Sequence, residues 1–251
     1  MFFVYETQLS HAAGFSLYGL PHLCTLADIF LSCLIGARWY KRQPDSVRHS
    51  FSHALGLTIF LLDILRYIVY WRIGGLSIYE LPLHLCGLAV YLCILHSVWK
   101  PDWLGQVLYT LCLPGACCAL LFPDWTHYPF WSFVSLHSFL AHGLIVFYIV
   151  LQTASGEIIS RLSSIWKPIL FLCAVVPPIY WFNTQWHTNY MFLQLPSPDS
   201  PLELLARWTH GSHALYLVLF AGIIFLIMLG MNGLYSKIHH HEKLPPKREL
   251  F

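Results

Sequence analysis

Apolar runs long enough to cross a lipid bilayer take up most of this chain's 251 residues, and they leave few folds open to it. A hydrocarbon core about 30 Å thick is crossed by roughly 20 apolar residues in helical form. It also offers no water to satisfy backbone N–H and C=O groups, so each run must satisfy its own. Seven segments qualify, at about 20–40, 51–71, 81–99, 103–122, 129–153, 166–182 and 210–234. Their short connections leave no room for a separate soluble domain. The predicted fold is all-α: one seven-helix transmembrane domain over 1–236, followed by a basic tail over 237–251. Composition agrees, since only 10% of residues are charged and mean hydropathy is +0.59, against roughly 25% charged residues in a soluble domain.

The loops orient the bundle. Arg38, Lys41, Arg42, Arg48, Lys100, Arg161, Lys167, Lys237, Lys243, Lys247 and Arg248 fall on the side that follows segment 1. Arg72 and Arg207 fall on the other, with Arg66 inside the membrane. Basic residues gather on the cytoplasmic side, so the N-terminus is expected outside, the C-terminus inside, and the protein in the cell membrane. The first 20 residues carry no basic stretch ahead of an apolar core and do not read as a signal peptide. Fourteen basic against 12 acidic residues is too balanced for a nucleic-acid surface, and no nucleic-acid partner is expected. Cys24, Cys33, Cys86, Cys93, Cys112, Cys117, Cys118 and Cys173 all lie in apolar runs without a CxxC pair, so most of them read as packing residues.

Ionisable groups are costly in a bilayer and usually face a cavity or one another. Segment 3 opens LPLHLCGL, placing His84 and Cys86 near its start, with Pro82 in the expected first turn. Thr25, Asp28 and Ser32 recur at helical spacing and are expected to face inward. Asp63 and Arg66, three residues apart, read as a buried ion pair with Tyr67 and Tyr70 beside it, or as a headgroup contact through Arg66. Pro114 and Gly115 mark a kink. In segment 5, Ser135, Ser138 and His142 share a face that His137 leaves. With Asn183, Asn189, His22, His210 and His213, these groups are predicted to cluster in the outer half around an outward-opening cavity, and the inner half to be nearly free of them.

Several chemistries fit such a cluster. Cys86 can act as a nucleophile if an imidazole reaches it, and His142 is the better base, because His84 lies about 200° around the helix from Cys86. Alternatively His84, His137 and His142 with Asp28 or Asp63 could hold zinc, although no fixed ligand spacing supports it. A purely interhelical hydrogen-bond network, or ligand sensing or transport through the cavity, completes the set. No cofactor is expected.

The motifs LPLHLCGL (Leu81–Leu88), HSFLAHG (His137–Gly143) and TNYMFL (Thr188–Leu193), with GFSLYGLPHL near the start, resemble the YwaF-like integral membrane protein family, related to transmembrane protein 164. The resemblance spans nearly the whole chain. It implies a seven-helix bundle and, by way of the eukaryotic relatives, acyl transfer onto phospholipids or lysophospholipids through an intramembrane cysteine and histidine. Carried onto this sequence, those residues are Cys86 and His142. Asn189 and Tyr190 match the third motif without an assigned role. Together with His84, His137, Ser138, Asp63, Arg66 and Asp28 they form the supporting set, and Ser138 and Asn189 are expected to orient the histidine or donate to an oxyanion.

Overall fold

A computed structural model describes residues 2–3, 14–197 and 200–239; the tail beyond His239 lies outside the described residues. The helices are α1 (Leu20–Lys41), α2 (Asp45–Ile73), α3 (Leu85–Trp99), α4 (Asp102–Leu121), α5 (Phe133–Ala154), α6 (Trp166–Trp186), α7 (Pro201–Trp208) and α8 (His213–His239). Among the described residues there is no strand. Six helices are long and apolar enough to cross a membrane, and α3 is a shorter apolar helix.

The helices pack closely where small residues permit it. A Cβ on Gly36 of α1 would overlap the Phe147 ring of α5. Along this contact His22 lies near Phe139 at one end, while Gln152 Nε2 donates to Tyr40 OH at 2.9 Å at the other. α1 and α5 therefore run in the same direction. α2 and α3 are antiparallel, with His53 Nδ1 3.3 Å from Ser97 Oγ at one end and Tyr91 OH donating to Asp63 Oδ2 at 3.3 Å at the other. α4 fills the centre. Pro114 has no N–H and crowds the carbonyl four residues back, and the turn before it, Leu108–Cys112, widens into a π-helix in which Leu113 N–H bonds Leu108 O. α1 and α8 bury little of their surface and expose Phe30, Ile35, Val218 and Leu226, an apolar exterior suited to lipid tails.

The structure corrects three expectations. Helix α3 begins at Leu85 rather than Leu81 and has 15 residues, about 22 Å at the helical rise. Leu81–His84 forms a turn instead, with Leu83 N–H bonded to Leu81 O at 2.8 Å and Pro82 folded back against the Gly87 site. A Cβ on Gly87 would lie 2.9 Å from Pro82 Cα, so only glycine admits this turn.

The inward stripe of α1 is His22, Ile29, Cys33, Gly36 and Tyr40 rather than Thr25, Asp28 and Ser32: Asp28 and Ser32 are exposed, and Thr25 Oγ1 is spent on Pro21 O at 2.9 Å. The hydroxyl and carboxylate lie on the helix's outer face because the aromatic and small residues, not the polar ones, fit against α5. Nor is the end where α1 finishes devoid of polar groups. His96 Nδ1 lies 2.9 Å from Tyr148 OH, Ser52 Oγ 3.4 Å from the same hydroxyl, and Tyr40 OH donates to Arg48 O at 3.0 Å. Tyr40, Ser52 and Tyr148 read as ordinary core residues in sequence, since tyrosine and serine carry no charge to mark them, whereas His96 is an ionisable residue inside segment 3.

Candidate functional site

At the start of α3, Pro82 to Leu88 are all partly exposed, whereas Ala89 and Val90 of the next turn are sealed. Cys86 is the second residue of the helix. No side chain caps this terminus, and the first helical bond is Leu88 N–H to His84 O at 2.9 Å. The N–H groups of Leu85, Cys86 and Gly87 are thereby left without helical acceptors, and their dipoles favour negative charge near the Cys86 sulfur. Cys86 is a free thiol and has no hydrogen-bond partner among the described residues.

His142 reaches the same region from α5. Its Nδ1 lies 2.7 Å from Ser138 O. A carbonyl only accepts, so Nδ1 carries the proton and Nε2 presents a lone pair, which is the form a general base needs. Ser138 thus orients the histidine through its backbone rather than its hydroxyl. The Trp125 ring stacks on the imidazole, with centroids 5.2 Å apart and an interplanar angle of 22°. Trp125 is 6% exposed, and its indole Nε1–H is sealed with no acceptor, an arrangement that costs stability unless a ligand supplies one. Its exposed neighbour Asp124 acts electrostatically on Cys86, His84 and His142 alike. Cys117 and Cys118 of α4 also lie within electrostatic reach of Cys86. No hydrogen bond joins Cys86 to His142 in this structure.

His84 stands just before α3. Its Nδ1 receives the Met191 N–H at 3.3 Å, which puts the ring proton on Nε2. Tyr190 and Phe192 pack on the ring, with centroids 5.1 and 5.3 Å away. Asn183 organises that segment: its Oδ1 accepts from Tyr190 N–H and Thr188 Oγ1, and its Nδ2 donates to Tyr190 O. The Tyr190 hydroxyl donates to Ile78 O and accepts from Leu81 N–H at 3.0 Å, so the third sequence motif holds the turn in front of α3. Asn189, expected to orient the histidine or serve an oxyanion, does neither. Its amide is used within its own loop, accepting from Gln194 and Leu195 N–H and donating to Leu195 O.

Of the remaining supporting residues, Asp63, Arg66 and His137 are engaged in contacts between elements. Arg66 bridges Asp63 and Glu80, 3.0 Å from each carboxylate, and lies over the Tyr67 ring. Tyr67 OH adds a bond to Glu80 O at 3.0 Å. With its N–H groups so engaged, Arg66 is a brace between α2 and the 78–80 turn rather than a headgroup contact. His137 Nε2 donates to Leu62 O at 3.1 Å and stacks on Phe133, tying α5 to α2. Asp28 lies outside the cluster. Among the described residues no three His, Cys, Asp or Glu side chains group as a metal site, so the zinc alternative has no ligand set here. Sequence reasoning missed Glu80, Asp124 and Trp125 because they lie between the apolar runs. The available signal was a lone acid in the aromatic loop FPDWTHYPFW.

The fold defines an all-helical, multi-pass membrane protein. Residues 17–232 match the TMEM164 family, and the chain belongs to that family. No curated protein and no solved structure matches it.

Proposed function

We propose that this protein modifies membrane lipids by acyl transfer or acyl-ester hydrolysis, with Cys86 as nucleophile and His142 as base. The observation that carries the reading is a free thiol on an uncapped helix start, and it is supported by a histidine, His142, whose Nε2 is held as an acceptor by the Nδ1 bond to Ser138 O. Burial alone would leave a thiol inert. The helix N-terminus and a nearby imidazole are the two influences that activate one. In the reaction the Cys86 S–H proton passes to His142 Nε2, directly or through one water, and the sulfur attacks the acyl carbonyl. The ester C–O bond breaks, a thioester forms, and the leaving alkoxide takes the proton from His142. An acceptor hydroxyl or water, deprotonated by His142, then attacks the thioester and returns the acyl group, and the thiol is restored. The free N–H groups at the start of α3 are suited to the developing oxyanion, an interaction worth a few kcal/mol in acyl transfer.

The substrate in this reading is a phospholipid or lysophospholipid of the cell membrane. The chain crosses seven times with its N-terminus outside, α3 and the turn before it making the third passage. The parallel course of α1 and α5 supports this, because it needs an odd number of passages between them. Basic residues concentrated on one side support the orientation.

A second reading, a non-enzymatic sensor or transporter, is favoured by one observation, the buried Ser52–Tyr148–His96 network at the opposite end. One assay separates the two. Purified protein in vesicles is given phosphatidylcholine with a deuterated acyl chain and unlabelled lysophospholipid. The enzyme reading predicts labelled acyl transfer or release that Cys86→Ala and His142→Ala each reduce by at least about 100-fold, in line with loss of a catalytic group. Equal turnover in the Cys86→Ala protein would refute it.

A further inference from the structure

The histidine beside the nucleophile has one feature that acyl transfer by Cys86 and His142 leaves unused. His84 cannot serve as the base in the form found here, because the Met191 N–H occupies Nδ1 at 3.3 Å and the ring proton is therefore on Nε2. That Nε2–H has no partner among the described residues, and the ring, like the Cys86 side chain two residues on, is only partly buried. Asp124, His142 and Arg66 are the charged and titratable groups that act on it.

The arrangement that fixes this tautomer is expensive. Met191 and Phe192, both bulky, sit at φ 56° and 55°, in the strained left-handed region that residues with large side chains seldom adopt. The surroundings impose it. Tyr216 OH bonds Phe192 O at 2.8 Å, His213 Nε2 bonds Leu193 O at 2.9 Å, and Asn183 holds Tyr190 from both sides of its backbone. Two adjacent strained residues whose N–H and ring both land on His84 amount to a strap across it.

We infer that His84 is a fixed N–H donor to the substrate, held in one tautomer by the strap Asn189–Leu193, and that it takes an ester carbonyl or phosphoryl oxygen of a lipid. This deepens the acyl-transfer reading and rests on it for the substrate class. As a donor that does not exchange its proton, His84 is a binding and orienting group, complementary to His142, which moves protons.

The test uses the full chain in maltoside micelles, whose detergent has neither ester nor phosphate, with ¹⁵N-labelled histidine. His84 should show the neutral Nε2–H tautomer, and Tyr190→Phe, which removes the hydroxyl that grips Ile78 O and Leu81 N–H, should mix the two tautomers. Dioleoylglycerol offers carbonyls without phosphate, and a diether phosphatidylcholine offers phosphate without carbonyls. A shift of the Nε2 signal with the first names the carbonyl as acceptor, and a shift with the second names the phosphate. No shift with either, or an Nδ1–H tautomer in the wild type, overturns the inference.

In the transfer assay, His84→Gln keeps an N–H at a similar reach and should stay within about tenfold of wild type. His84→Phe keeps the ring packing without the donor and should lose about 100-fold, the usual effect of deleting one oxyanion-type donor. Wild-type turnover in a folded His84→Phe protein also overturns the inference. Should Cys86→Ala retain full turnover while the His84 tautomer and lipid shift are as expected, the nucleophile assignment fails and the donor stands.

Discussion

Arg66 shows how one side chain changes meaning once its neighbours are known. In sequence it pairs with Asp63 alone, which would make a double apolar replacement milder than either single change. In the structure it also holds Glu80, a residue outside every apolar run, so one guanidinium balances two carboxylates. Arg66→Leu should therefore be the most damaging change, at about 3–5 kcal/mol, the range for breaking a buried pair. Asp63→Leu should be the mildest, because Arg66 keeps Glu80, and the double variant should fall between them. Thermal unfolding of the three proteins in micelles measures this order, and a double variant as stable as wild type would contradict the three-group brace. His142 stands out in sequence because an imidazole inside an apolar run is costly, whereas Cys86 is one of eight cysteines in such runs and is singled out only by its motif. Asp124 and Trp125 do not stand out, because a charge or an indole in a loop looks ordinary until the fold sets it against His142.

Helix positions follow from apolar length, and six of the seven segments form long helices near their expected limits. The exception is α3, because Pro82 suits a helix start as well as a turn, and the choice is made 109 residues away by the Tyr190 hydroxyl on Leu81 N–H. Likewise the TNYMFL motif could be seen but not interpreted, since its work is done through Asn183, Ile78 and His84. Removing Tyr190 from water pushes its hydroxyl up to about 12, with the Leu81 N–H pulling the other way. A tyrosine whose folded value is raised contributes stability that is intact below the unfolded value of about 10 and is lost as pH rises through the folded one. Protease cleavage within 187–197 should therefore accelerate from pH 10 to 12 in the wild type, while Tyr190→Phe should already be cleaved faster at pH 8 and show a smaller further rise. A rise of the same size in both would show that the strap does not depend on this hydroxyl.

On the scale of the whole molecule, the partly exposed start of α3 lies at one end of the bundle and the sealed Ser52–Tyr148–His96 network at the other. Reporter domains fused after Gln43 and after Ser200 should report opposite sides of the membrane, inside and outside respectively. A shared side would remove the third passage and with it the outer position of the start of α3. The central claim, that Cys86 carries an acyl group, is tested most directly by intact-mass measurement of the purified protein after brief exposure to a single phosphatidylcholine. The account predicts an added mass equal to one acyl chain, located on Cys86, removed by hydroxylamine, absent from Cys86→Ala and much reduced in His142→Ala. An unmodified wild-type protein that still turns over the lipid, or an adduct that persists in Cys86→Ala, would contradict it.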